Sequence, residues 1–110
     1  MKAKGIVVHE EERIIYMIKP RFLLQDLLRA FEKLGLNPRL TGEKTSWLLE
    51  GSSGDRRAWV KLISREEVVK GLDTLGPIPV SVLSVHVEGP EDFITAFKHR
   101  IEVELLRCLG

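Results

Sequence analysis

The sequence predicts an α+β domain: a mostly antiparallel sheet of about five strands, with three helices packed on one face and the other face partly open. Three observations lead there. A hairpin with clean period-two alternation occupies the middle of the chain, from Thr45 to Ser64. Runs with apolar residues at helical spacing lie on both sides of it. Strand-like and helix-like runs are also mixed along the chain, without a regular βαβ alternation, which favours an antiparallel sheet with helices to one side. The 110 residues suit one domain (1–110). A content of 44% hydrophobic and 30% charged residues places it among globular and not disordered chains.

Gly5–Val8 and Arg13–Lys19 read as short strands around an acidic tip, His9-Glu10-Glu11-Glu12. Both faces of the second strand are mostly apolar, so it is expected in the centre of the sheet. Pro20 opens a helix to about Leu34, with Leu24, Leu27, Leu28, Phe31 and Leu34 on one stripe and Gly35 as its stop. Arg39–Thr41 is a brief extended segment before the hairpin. Ser64-Arg65-Glu66-Glu67 has the form of a capping box and predicts a second helix, burying Val68, Val69, Leu72 and Leu75 and ending at Gly76-Pro77. Val80–Glu88 is a strand with Leu83, Val85 and Val87 towards the core. Pro90 starts the last helix, 90–110, whose apolar residues Phe97, Ile101, Leu105, Leu106 and Leu109 run on to its end. That stripe predicts self-association, as a dimer or tetramer.

The hairpin is the candidate site. In its second strand Ala58, Val60 and Leu62 point one way and Arg57, Trp59 and Lys61 the other. If the loop is Gly51–Asp55, Glu50 pairs with Arg56 and Trp47 falls opposite Trp59. A one-residue slip would instead turn Trp47 to the core. In the first register two indoles are rimmed by cations, the ingredients for stacking bases while tracking a phosphate backbone. The bland reading is that both indoles are packing residues covered by Lys and Arg stems.

Net charge is only +1, but it is unevenly spread: residues 13–61 hold ten Lys/Arg against five Asp/Glu. A basic, aromatic face is compatible with a polyanion. Other chemistry is scarce. His9, His86 and His99 have no zinc-ligand spacing, no Ser sits in a nucleophile elbow, and Gly51-Ser52-Ser53-Gly54 lacks the Gly-Lys-Ser/Thr ending of a phosphate loop. The expectation is therefore no enzyme, no metal and no cofactor. Cys108 stands alone, which fits a reducing compartment. No signal-peptide pattern follows Met1 and no apolar run approaches the ~20 residues that span a bilayer. A cytoplasmic protein with no membrane partner is expected. Lys, Arg and Glu far outnumber Asn and Gln, which points to a thermophilic source.

The run Ile14-Ile15-Tyr16-Met17-Ile18-Lys19-Pro20 enters a Leu-rich helix, and Pro38-Arg39-Leu40 precedes a Trp-bearing hairpin. Leu75-Gly76-Pro77 then precedes a last strand, and Glu88-Gly89-Pro90-Glu91-Asp92-Phe93 opens a terminal helix. As an order of elements this resembles the ThermoDBP family and its related proteins, non-OB single-stranded DNA-binding proteins of thermophilic archaea. The resemblance implies a groove on the open sheet face that holds single strands, and oligomerisation through the C-terminal helix. The expected function is thus binding of single-stranded DNA, or RNA, with little sequence preference. Trp47 and Trp59 would stack bases; Arg57, Lys61, Arg39, Lys44 and Arg56 would meet phosphates; Tyr16 and Lys19 would assist from the neighbouring strand. The rival expectation is a small scaffold that recruits a protein partner through its last helix.

Overall fold

Residues 5–109 are described by a computed structural model, with side chains as far as Leu105. Five strands form one antiparallel sheet: β1 (Val7–Tyr16), β2 (Arg39–Glu43), β3 (Ser46–Ser53), β4 (Arg56–Val68) and β5 (Pro77–Gly89), in the order β1-β5-β4-β3-β2. Helix α1 (Pro20–Lys33) and helix α2 (Glu91–Leu109) both cover one face. The chain is α+β, with two helices where the sequence predicts three.

The missing helix is the capped one. Ser64-Arg65-Glu66-Glu67 continues β4, paired with Ser81 to Ile78 of β5. The Ser64 hydroxyl is buried and accepts from Ser81 Oγ at 3.3 Å instead of capping a helix. Only a single 3-10 turn, Asp73–Leu75, lies between the two strands. The capping signal is local and worth about 1 kcal/mol. The backbone pairing of a 13-residue β5 with β4 from Arg57 to Val68 outweighs it.

β1 is also longer and differently placed than expected. The acidic run His9–Glu12 is not a tip but the middle of one continuous strand, paired with β5 from Val7↔Gly89 to Tyr16↔Val80. β1 is an edge strand and not a central one. Charged side chains on an edge discourage pairing with a second sheet. Glu10 and Glu12, exposed on β1, serve that role.

The core lies between the sheet and the helices. α1 contributes Leu23, Leu24, Leu27, Ala30 and Phe31; the sheet contributes Leu49, Ala58, Val60, Leu62, Leu83, Val85 and Val87. Phe97 sits at its centre, edge-on to Phe31 at 5.8 Å. Phe97, Ile101 and Leu105 are buried in the chain's own core, which corrects their assignment to a self-association face. Their stripe points down onto α1 and the sheet, and so is spent within the chain. Leu106 and Leu109 belong to α2, but their side chains lie outside the described residues. Between the helices, the fully buried Glu104 carboxylate meets Lys33 Nζ at 3.0 Å, Arg29 at 3.5 Å and Arg100 at 3.6 Å.

One glycine fixes how α1 returns to the sheet. The Ser52 amide donates to the Leu36 carbonyl at 2.6 Å, drawing the segment after α1 onto β3. A Cβ on Gly51 would stand 2.7 Å from that carbonyl and 2.8 Å from the Phe31 ring. Only glycine admits so close an approach.

Candidate nucleic-acid interface

The β3–β4 hairpin forms as the sequence predicts, but in another register. The strands run up to Ser53↔Arg56, leaving a two-residue turn, Gly54-Asp55, with Gly54 at φ 62°. Glycine takes that positive φ without strain. Glu50 therefore pairs with Trp59, not with Arg56, and Trp47 pairs with Leu62. The offset from the expected pairing is odd, so Trp47 changes face. It packs half-buried against the core, on the side of the sheet away from Trp59. The two indoles do not form one platform.

Following the pairing outward from Trp59 defines the open face. Across the sheet, one row reads Glu10, His86, Trp59, Glu50, Arg39. The next row towards the turn holds Val8, Glu88, Arg57 and Ser52; on the other side lie Glu12, Ser84, Lys61, Leu48 and Thr41. A fourth row follows with Ile14, Val82 and Ile63 and ends on Ser46 and Glu43; its Ile14 is 53% exposed. The face carries Arg39, Arg57, Lys61 and Arg65, but also Glu10, Glu12, Glu43, Glu50, Glu67 and Glu88. A uniformly basic rim is thus replaced by a divided one. The cations line β4 with Arg39 at the β2 edge; three of the six acids, Glu10, Glu12 and Glu88, lie on β1 and its neighbour β5, and the other three on β2, β3 and β4.

Trp59 and His86 are stacked, ring centroids 3.9 Å apart and 7° from parallel. His86 Nδ1 is 2.6 Å from Glu10 Oε2 and Nε2 is 2.7 Å from Glu88 Oε2. With both carboxylates accepting, both ring nitrogens donate, an arrangement that favours the imidazolium form of the ring. Burial opposes that charge, but the hydrogen bonds to Glu88 and Glu10 outweigh it and hold the His86 pKa above its ordinary value. The guanidinium of Arg57 lies 5.8 Å from the Trp59 ring centre. The indole is therefore flanked by two cations, each within reach of its π-face. Beside it opens a polar cleft of 290 Å³ lined by Trp59, Arg57, Arg39, Glu50, Asn37 and Ser52.

Of the nine residues singled out for nucleic acid, four converge here: Trp59, Arg57, Lys61 and Arg39. Arg39 is exposed and 3.8 Å from Glu50. Tyr16 is on the same face, half-exposed, but on the far edge strand. Arg56 points to the helix side, its guanidinium 5.6 Å from the Phe93 ring. Trp47, Lys44 and Lys19 line a different cleft at the start of α1. His86 was missed as a site residue. Its strand and its outward face were readable; that β5 lies directly beside β4, and so sets His86 against Trp59, was not.

No model of a known protein family matches the chain, and no curated protein matches it either. Among the described residues no group of His, Cys, Asp and Glu could hold a metal ion, and no helix is long and apolar enough to cross a membrane.

Proposed function

We propose that this chain binds single-stranded nucleic acid, DNA in the first instance, through the open face of its sheet. The reading rests on one observation: Trp59 projects from β4 on the open face between Arg57 and Lys61, beside the cleft that holds Arg39. A base entering between the indole and the Arg57 guanidinium extends the His86–Trp59 stack by one ring. Its phosphates then meet Arg57, Lys61 and Arg39. Such stacking tolerates any base, since every base offers a π-face. The carboxylates on β1 repel a strand laid across that edge, so the strand runs along β4 and not over the whole sheet.

With three cations engaged, at about 0.7 per phosphate contact, log K falls with log salt with a slope near −2. The test is oligo-dT affinity for the unaltered chain and for Trp59→Ala, with folding checked by circular dichroism. A loss of ~1–3 kcal/mol in the variant is expected. Equal affinities with an intact fold would refute the assignment. The order of elements in the sequence, which resembles that of the ThermoDBP family, supports this reading. A scaffold role through the last helix ranks below it, because Phe97, Ile101 and Leu105 are buried.

A further inference from the structure

A second cleft, of 660 Å³, opens at the other end of the sheet, where α1 begins, the β2–β3 turn folds over and β4 passes Ser64. We infer that it is a separate binding site for a nucleotide, an aromatic base carrying phosphate. Its size falls in the range of small-ligand sites. Lys19 and Arg21 line it from the start of α1 and Lys44 from the β2–β3 turn, against one lining carboxylate, Glu66; Arg65, whose side chain belongs to the open face, also borders it. Arg65 is shared with Glu67. Lys19, Arg21 and Lys44 have no ion-pair partner among the described residues, so their charge is available to a ligand. The floor is apolar and includes the half-buried Trp47 and the buried Leu24. Cations and an indole lining one cleft suit a ligand with both a ring and an anionic group.

The local backbone adds to the positive field. Lys44 is held at φ 50°, a conformation that costs a lysine and comes free to glycine, on the two-residue turn between β2 and β3. α1 has no acidic residue in its first turn, so the positive end of its dipole is not offset there. A divalent metal is ill-suited to so cationic a cleft. Because Trp47 and Trp59 lie on opposite sides of the sheet, this site stands or falls independently of the open face.

A nucleotide here could be free or could terminate a strand, and the two sources are separable. In Trp59→Phe the sole indole is Trp47, so its emission reports this cleft alone. The titrants are ATP, oligo-dT with and without a 5′-phosphate, and inorganic phosphate. Saturable quenching by ATP, or by the 5′-phosphorylated strand only, supports the site and names the source. The Arg21→Glu/Lys44→Glu variant should weaken it about tenfold or more. Calorimetry of ATP binding to the unaltered chain and to that double variant repeats the comparison should Trp59→Phe fold poorly. No saturable change up to about 1 mM, affinity unmoved by the double variant, or phosphate competing as well as ATP would overturn the proposal.

Discussion

The pairing of His86 with two carboxylates makes stability depend on pH in a defined direction. In the unfolded chain His86 titrates near 6.5; in the fold its pKa is raised. Between those values the native state binds more protons than the unfolded state, so stability falls as pH rises. The contribution is complete below pH 6.5 and is lost once pH passes the raised folded value. Two charge-assisted hydrogen bonds set its size, each worth ~1.5–3 kcal/mol when desolvated. Glu10 is 69% exposed and Glu88 26%, so solvent screens both. A combined figure of about 1–2 kcal/mol is reasonable after screening, or roughly 5 °C in melting temperature for a domain of this size. The assay is thermal melting of the unaltered chain and of His86→Gln from about pH 5.5 to 9. The variant keeps a similar shape but cannot take the charge. The stability difference between the two should shrink by that amount as pH rises. Parallel curves would refute the imidazolium bridge.

The core and the interface make further predictions. Phe97→Ala removes a ring that is 1% exposed and packed on Phe31 and Phe93, and should cost ~3–5 kcal/mol by urea titration. Gly51→Ala should cost ~1–3 kcal/mol, because its methyl meets the Leu36 carbonyl, a backbone atom that cannot turn aside. Ser64→Ala leaves the buried Ser81 hydroxyl without the partner it shows in the fold, and should cost about 1–3 kcal/mol. A helix cap in its place would instead make Glu67→Ala the costlier of the two changes.

The parts of the fold legible in the sequence are those fixed by local pattern. α1 was readable because its apolar stripe, Pro20 and Gly35 agree with one another, and Gly35 does take a positive φ of 73°. The faces of β4 were readable because Arg57, Trp59 and Lys61 alternate with Ala58, Val60 and Leu62. What was not legible depends on partners distant in sequence. Ser64–Glu67 looks helical in isolation and becomes strand only because β5 lies alongside. His9–Glu12 looks like a loop and becomes strand for the same reason. The hairpin register turned on whether Gly51–Asp55 or Gly54-Asp55 makes the turn; an odd offset there moved Trp47 to the other side. Helix periodicity identifies an apolar face on α2 without saying what covers it; Phe97, Ile101 and Leu105 are covered by the chain's own core.

The central claim concerns Trp59, and its most direct test uses the Trp47→Phe chain, in which Trp59 is the only indole. Its emission is followed during titration with oligo-dT at several salt concentrations. The account predicts saturable quenching, with an affinity that falls with salt at a slope near −2. Emission that does not change with the chain folded, or quenching indifferent to salt, would contradict it.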